Sequence, residues 1–352
     1  MKLPELIEAA GIRALTVQDS SGAMPAGHNG PYIDPETPVR NTAHWLVTFS
    51  HLANRDRPDF REAADRCAAY LMSAAVIGES GAWENRAQPG KDRCNGLIGP
   101  AWAIEGLASY AEQCERPAVR KATAAIFLRH PFNYGQALWS RLEPDGTVLS
   151  PDATWNHQLW FAAAGALIRD AEVDARVLRF LDRIPRNFSV HPDGLIVHRI
   201  HAPTERRPDR WLRAQANRYL RPAKFAVERD KELGYHAFNL YAFALLCRRM
   251  PDHPCWRLPA IRAALAAVES TGFQREIAGS RYAFPYNPPG WELAFPALIF
   301  DLRLDVAAWL QEQIRRSWNE EMKATSLAGH DPHTDAARIY EACRIVEVAG
   351  DG

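Results

Sequence analysis

The sequence predicts an all-α protein whose helices close into a ring of six helical hairpins, an (α/α)6 toroid. Nearly apolar helices recur six times, and an amphipathic helix precedes each of them. The apolar helices begin at intervals of 54, 61, 79, 56 and 43 residues, too irregular for an open repeat superhelix. Because a helix that is apolar on all sides must be buried, the apolar set is expected to form an inner ring that the other helices wrap.

Each apolar helix follows a polar loop rich in Gly and Pro. The predicted inner helices begin near Asn41, Asn95, Asn156, Tyr235, Trp291 and Thr334. The predicted outer helices span residues 4–17, 58–75, 118–129, 171–182, 259–269 and 304–318. Several of these open on proline, which fits a first helical turn that needs no intrahelical N–H. The whole chain, 1–352, is therefore expected to be one toroid domain.

Strand patterns are confined to the loops. β-Branched residues alternate between turns at 146–149 and 195–199, which predicts short β-hairpins in rim insertions. The longest loop holds a basic insertion, 192–231, in which ten Arg or Lys face four Asp or Glu over 199–231. This excess of positive charge predicts a rim insertion or lid that attracts an anionic glycan, with a solvated helix as the alternative.

Composition limits the partners and the compartment. Lys plus Arg number 42 and Asp plus Glu number 42, which argues against a nucleic acid or an anionic membrane as the main partner. The six cysteines are scattered, and neither an export signal nor a long apolar run is visible. We therefore expect a cytoplasmic monomer or homodimer with reduced thiols.

No cofactor and no metal are predicted. Nucleotide-binding glycine motifs, the serine-hydrolase elbow and HExxH are absent from the sequence. The segment HDPHTD at 330–335 is the one cluster with potential metal ligands, and its spacing matches no standard site.

The predicted site lies at one mouth of the ring, because all inner helices run the same way and their first turns converge there. Besides Asn156, His157 and Tyr235, the candidate substrate-binding residues at these positions are His28, Asn29, Tyr32, Asn41, His44, Arg93, Asn95, Trp155, His236, Trp291, Glu292 and His333. Aromatic rings pack on a sugar while polar neighbours bind its hydroxyls, so the pattern favours a carbohydrate. Helix capping is the alternative for Asn95, Asn156 and Thr334.

Two segments resemble the alginate-lyase type of polysaccharide lyases. WNHQLWFAAAGAL (155–167) is similar to that family's Asn-His-x-x-Trp helix start, and LGYHAFNLYAFALL (233–246) to its Tyr-His-x-x-x-Leu helix. Similar toroids also house unsaturated glucuronyl hydrolases and sugar epimerases. The resemblance implies a toroid that cleaves a uronic-acid-containing polysaccharide or oligosaccharide by β-elimination.

In that reaction a base removes the C5 proton of a uronate and an acid protonates the departing O4. The resemblance implies Tyr235 and His157 as this pair, in undetermined order. It implies that Asn156 holds the carboxylate together with Arg229 or, in its place, Lys231.

Three other functions stay open. Hydrolysis needs two carboxyl groups facing across the glycosidic bond, about 5–5.5 Å apart for retention and 6.5–9.5 Å for inversion. The candidate acids are Asp92, Asp152 and Glu292, with Asp34 and Asp335 beside them. An epimerase or isomerase would use the same deprotonation at C5 or C2 and return the proton elsewhere. A non-catalytic glycan-binding toroid would need no proton-transfer pair.

Overall fold

The computed structural model describes residues 2–53, 57–200, 222–325 and 331–350, except for the side chain of Asn29. Its helices in chain order are α1 (Leu3–Leu15), α2 (Val39–Ala53), α3 (Pro58–Leu71), α4 (Ile98–Gln113), α5 (Pro117–Arg129), α6 (Trp155–Ile168), α7 (Ala171–Asn187), α8 (Pro222–Arg249), α9 (Pro259–Ala267), α10 (Thr271–Ile277), α11 (Pro289–Phe300), α12 (Val306–Ser317), α13 (Pro332–Ala337) and α14 (Tyr340–Gly350).

The inner ring is closed. Helix α2 packs on α4, α4 on α6, α6 on α8, α8 on α11, α11 on α14, and α14 returns to α2. Around this ring, α1 lies against α14 and α2. Helices α3 and α5 cover α4, and α7 covers α6. Helix α10 covers α8, and α12 covers α11. The predicted (α/α)6 toroid is therefore confirmed.

Burial follows the predicted division into two helix types. Every residue of α6 except His157 is buried, as is every residue of α2. In the outer helix α7 the buried residues recur at helical spacing along one face, at Val173, Val177, Phe180, Leu181 and Ile184. Helices apolar all round line the ring, and amphipathic helices close it from outside.

Two helices differ from the prediction. Helix α8 begins at Pro222, thirteen residues before the predicted start at Tyr235. Its first turns, 222–231, are exposed or half-buried and mix apolar with charged residues, so a search for fully apolar runs misses them. The predicted last inner helix is divided into α13 and α14, and the side chain of Asp331 caps α13 by accepting from the backbone N–H of Thr334.

The strands form small antiparallel sheets on the loops. They are β1 (His28–Asn29) with β2 (Asp34–Pro35), β3 (Phe132–Asn133) with β4 (Leu138–Leu142) and β5 (Val148–Pro151), and β6 (Trp318–Asn319) with β7 (Ala324–Thr325). The strand predicted at 146–149 corresponds to β5. At 195–199 the structure has isolated bridges instead, Val190 with Ile196 and Thr154 with Arg199. Residues 201–221 of the predicted basic insertion lie outside the described residues.

The ring also encloses a buried ionic cluster. The guanidinium of Arg338 donates to the carboxylates of Glu292 and Glu341 and to the side-chain carbonyl of Asn287. Burial raises the pKa of both glutamates, and Arg338 opposes that rise. Two carboxyls therefore share one fully buried cation beneath the mouth of the ring. Among the helices described, none is both long and apolar enough to span a bilayer.

Candidate active site

A cavity of about 260 Å³ opens at the mouth of the ring. Residues from the start of every inner helix, or from just before it, reach its wall: Arg40, Asn95, Ile98, Trp102, Asn156, His157, Lys231, Tyr235, Phe238, Asn287 and Arg338. Loop residues complete the wall: Tyr32, Asp34, Arg86, Lys91, Thr154, His198 and Tyr286. The parallel inner helices thus bring distant segments to one small, polar, aromatic-walled space, as predicted.

His157 lines the cavity and forms a dyad with a carboxylate, that of Asp152, which lies outside the cavity wall. His157, in the first turn of α6, shares a hydrogen bond of 2.7 Å between its Nδ1 and Oδ2 of Asp152. The same carboxylate accepts from the backbone N–H groups of Leu97 and Thr154, at 3.1 and 2.9 Å. Burial opposes ionisation of Asp152, but the charge and hydrogen bond of His157, with the two backbone donors, hold its pKa well below the usual range.

The dyad fixes the chemistry available to His157. In the neutral imidazole, an anionic partner at Nδ1 favours the tautomer that carries its proton there, which leaves Nε2 free to accept a proton. Only 23% of the His157 side chain is exposed, and the residue lines the cavity. This geometry suits a general base that takes a proton from a bound molecule and returns it.

A second imidazole, that of His198, lines the same cavity. Its ring lies 5.6 Å from that of Tyr235, centroid to centroid, and its backbone N–H donates to Glu232. Burial, then the positive charges of Lys231 and His157, lowers the pKa of His198 well below the ordinary histidine value. His198 is therefore neutral at physiological pH and could also exchange a proton with a bound sugar.

A buried arginine faces the dyad from α2. The Arg40 guanidinium donates to Oε2 of Glu36 at 3.2 Å and lies 4.2 Å from the ring of Trp102. Oε1 of Glu36 accepts from the side-chain amide of Asn95 at 3.1 Å. One buried carboxyl thus positions a cation and an amide, the donors that stabilise negative charge developing on a substrate oxygen.

Gly96 packs directly on the dyad. Its φ is +64°, and a methyl group added there would lie 2.4 Å from Nδ1 of His157 and 2.6 Å from Oδ2 of Asp152. Asn95 before it also has positive φ, +57°. The left-handed turn brings the start of α4 against the dyad, and only a residue without Cβ leaves room for the hydrogen bond.

Gly96→Ala is expected to lower kcat/KM about 100-fold by displacing the dyad, since misplacement by about 1 Å costs that much in well-ordered sites. The matched control is Gly90→Ala, because Gly90 has φ +77° but no atom within 4 Å of the added methyl. Both variants carry the same backbone penalty, and only the first disturbs the dyad. Turnover is measured by NMR as deuterium exchange into a bound sugar. Equal activity in the two variants would argue against this role of Gly96.

The structure brings five of the predicted site residues to the cavity: Tyr32, Asn95, Asn156, His157 and Tyr235. Asn95 and Asn156 do not cap α4 and α6, whose N-cap positions are Leu97 and Thr154. Burial, then the neighbouring tyrosines, raises the pKa of Tyr235 well above that of a free phenol. Tyr235 is therefore suited to donate a hydrogen bond or proton, and His157 is the better base.

Most other candidates lie outside the cavity wall. Trp155 and Trp291 are fully buried in the core, and His44 stacks on Tyr340 at 4.3 Å. Asn41 donates to the backbone carbonyl of Pro25. Periodicity places these side chains near the mouth, but their own helices direct them into packing contacts.

His236 and Arg229 bind other parts of the protein rather than lining the cavity. His236 lies in α8, where its Nε2 contacts the carbonyl oxygen of Ala264 at 2.9 Å and its Nδ1 accepts from the N–H of Ile196. Arg229 is held by Asp193 and Glu276. The structure does not bring Arg229 to the cavity; Lys231, the other position that the resemblance allows, does line it.

The remaining substrate-binding candidates lie at the surface or below the mouth. Arg93 is exposed and paired with Glu84, and His333 is exposed. The backbone N–H of His28 donates to Asp331, whereas the side chain of Asn29 lies outside the described residues.

The alternative hydrolase acids do not form a facing pair. Asp92 is bound by Arg86 and Arg141, Asp152 belongs to the dyad, and Glu292 is bound by Arg338. Within the part of the chain that the structure describes, Asp34 is the carboxylate that lines the cavity, and it is paired with Lys91.

Sequence analysis gave no site role to Glu36, Gly96, His198 or Arg338. Glu36 lies four residues before Arg40 but outside α2, in a bridge with Arg86, so no helical pattern marks the ion pair. His198 lies inside the predicted strand at 195–199, where side chains alternate between faces. For Gly96, the sequence offers only its position directly after Asn95. Glycine and asparagine both tolerate positive φ, so the pair could have predicted a left-handed turn.

Comparisons with known proteins agree with the fold. No protein-family model matches the chain. Archaeal glycosylation protein Q of Haloferax volcanii is 38% identical to it, over 97% of this chain and 97% of its own length. The structure of a D-mannose isomerase superposes with a TM-score of 0.67 and 13% identity, covering 98% of this chain and 97% of its own.

Two further structures are similar. The cellobiose 2-epimerase of Spirochaeta thermophila has a TM-score of 0.68 and 14% identity, over 99% and 98% of the two chains. An unsaturated glucuronyl hydrolase specific for heparin has a TM-score of 0.60 and 10% identity, over 99% and 98%. These identities establish the fold alone. They show that the chain has the (α/α)6 toroid fold and do not support the alginate-lyase type as its nearest relative.

Proposed function

The chain belongs to the family of archaeal glycosylation protein Q, and on that premise we propose that it is a sugar epimerase or isomerase that acts in glycosylation. The observation that carries the proposal is His157 in the wall of a small polar cavity, hydrogen-bonded to the carboxylate of Asp152. The names of two structural neighbours, an isomerase and a 2-epimerase, support the same class.

Epimerisation and isomerisation begin with the same step. A base removes the proton from a carbon next to a carbonyl or carboxyl group, and negative charge moves onto the neighbouring oxygen as an enediolate. Return of the proton to the opposite face gives an epimer. In an aldose or ketose, its return to the neighbouring carbon, with the hydroxyl proton passing between the two oxygens, gives an isomer. No atom is gained or lost, so a base, an acid and a stabiliser of the oxyanion suffice.

The cavity supplies these three functions. His157 is the base, because Asp152 leaves its Nε2 unprotonated and stabilises the imidazolium that forms. Arg40 and Asn95, both held by Glu36, are placed to stabilise the enediolate oxygen. Tyr235 or His198 would return the proton on another face, since each lines the same space.

The main alternatives fit the site less well. Hydrolysis lacks a facing carboxyl pair within the described wall of the cavity, where Asp34 is already paired with Lys91. β-Elimination would share the base, and of the two cations that the resemblance implies for the carboxylate, Lys231 lines the cavity whereas Arg229 is occupied by Asp193 and Glu276. The comparisons also favour the epimerase or isomerase alternative over the lyase.

The test is an exchange assay in D2O. The protein is incubated with neutral aldoses, uronic acids, sugar phosphates and their disaccharides, and NMR follows deuterium incorporation together with any new stereoisomer or ketose. We expect deuterium at the epimerised or neighbouring carbon. Absorbance of unsaturated uronates without an isomeric product would instead indicate a lyase, and new reducing ends without that absorbance would indicate a hydrolase.

A further inference from the structure

Lys231 projects from α8 into the wall of the cavity, one helical turn before Tyr235. Its Nζ lies 5.3 Å from the ring centroid of Tyr32 and 5.8 Å from that of Tyr235. The side chain is half-buried, so most of its stem is packed while the ammonium group meets the cavity. Lys231 thus stands at the aromatic edge of the predicted sugar site.

The other cations of the cavity wall are paired with carboxylates. Arg40 bonds to Glu36, Arg86 to Asp92, Lys91 to Asp34, and Arg338 to Glu292 and Glu341. Their positive charge is thereby compensated within the protein, and they are positioned mainly as parts of the wall.

Lys231 differs from this pattern. Over the ranges that the structure describes, no carboxylate oxygen lies within 4 Å of its Nζ. Glu228, one turn earlier on the same helix, is exposed and lies 3.8 Å from Lys224 instead. A half-buried ammonium group without a counter-ion is costly, which a bound anion would relieve.

The titration of Lys231 agrees with this geometry. Burial, then the nearby charge of Arg199, lowers its pKa to about 8, and Glu228 opposes the shift. Among the groups that face it, Tyr32 and Tyr235 have raised pKa values and His198 has a lowered one. These three side chains therefore stay uncharged between pH 7 and 9. Arg199 and Glu228 are the other charged neighbours.

We infer that the sugar processed in this cavity carries an anionic group, a carboxylate or a phosphate, which Lys231 binds. This rests on the proposed function, because it names the substrate class of the same site. The tyrosines on either side would pack on the sugar ring while the ammonium group pairs with the anion. The alternative is that Lys231 only makes cation–π contacts with Tyr32 and Tyr235.

The test measures binding by calorimetry with three matched probes, D-mannose, D-mannuronate and D-mannose 6-phosphate. We expect at least one anionic probe to bind ten or more times as tightly as D-mannose at pH 7, and the tighter of the two identifies the group. Lys231→Met should reduce this preference to less than threefold. Lys224→Met, which removes an exposed lysine of the same helix, should preserve it.

The pH dependence separates charge from packing. The ammonium form predominates below pH 8, so affinity for the anionic probe should be full at pH 7 and fall about tenfold per pH unit above 8. Lys231→Arg should keep the preference and lose this fall, because a guanidinium stays charged. A fall that persists in Lys231→Arg would assign the titration to another group and contradict the inference.

Equal affinity for all three probes in the natural protein, or a preference that survives Lys231→Met, would overturn the inference. Binding is measured without turnover, so it is independent of the exchange assay. Anion binding through Lys231 without deuterium exchange would contradict the proposed function alone. Exchange on neutral sugars without an anion preference would contradict the substrate class alone.

Discussion

His157→Gln is expected to lower kcat/KM in the deuterium-exchange assay by about 10²–10⁴-fold, the range that a positioned general base contributes. Glutamine fills similar space but has no group that accepts a proton at neutral pH. Asp152 would keep its hydrogen bonds from the N–H groups of Leu97 and Thr154, so the fold should persist. Exchange of substrate deuterium, followed by NMR under single-turnover conditions, measures the proton-transfer step itself.

The control for this variant is His253→Gln, because His253 lies outside the cavity and contacts Asp182 and the N–H of Cys255. It should keep wild-type turnover. If His157→Gln retains more than a tenth of the wild-type rate, His157 is not the base, and His198 becomes the next candidate. Asp152→Asn should lower turnover in the same direction, since an amide cannot stabilise the imidazolium.

Arg338→Met is expected to lower the free energy of unfolding by about 3–5 kcal/mol, the range found when one partner of a buried ion pair is removed. The change leaves Glu292 and Glu341 facing each other without their shared cation. Chemical denaturation followed by circular dichroism would measure the loss. Less than 1 kcal/mol would show that the cluster contributes little to stability.

The sign of the pH effect follows from the raised pKa values of the two glutamates. A carboxyl whose pKa is higher in the folded state binds its proton more tightly there, so lowering the pH favours the fold. The deficit of Arg338→Met should therefore shrink in mild acid and grow toward neutral pH. Arg315→Met, at an exposed site, should change stability by less than about 0.5 kcal/mol.

A second variant distinguishes the ion cluster from simple loss of packing. Glu292→Gln combined with Arg338→Met removes one of the two uncompensated carboxylates. We expect the double variant to be more stable than Arg338→Met alone, because charge repulsion is reduced while the side-chain volume is preserved. A double variant that is less stable would assign the loss to packing.

Much of the fold follows from local sequence pattern. The outer helices begin within two residues of their predicted starts, because proline and the change to an amphipathic pattern mark them. The site was predicted in part: the convergence of helix starts placed Asn95, Asn156, His157 and Tyr235 at one mouth, where the structure has them. The lyase resemblance rested on these motifs, and histidine or tyrosine at a helix start serves several proton-transfer reactions equally well.

The surroundings that a helical side chain points into are decided by the tertiary structure. Tyr235 and His236 are consecutive, and each successive residue turns about 100° around the helix axis. Tyr235 therefore faces the cavity while His236 contacts Ala264 of the outer helix α9. The sequence contains both polar side chains, but packing decides which of them meets the substrate.

The amino-acid sequence by itself determined the helix types, their order and the closed ring, because burial is encoded in the periodicity of apolar residues along each helix. Only the tertiary structure decided the dyad of Asp152 and His157, the packing of Gly96 against it, and the position of the Lys231 ammonium group, which has no carboxylate partner among the described residues. The contacts of Gly96 with His157 and of Lys231 with Tyr32 join segments far apart in the chain, and the dyad depends on how the loop before α6 folds back on that helix, so no periodic pattern carries this information.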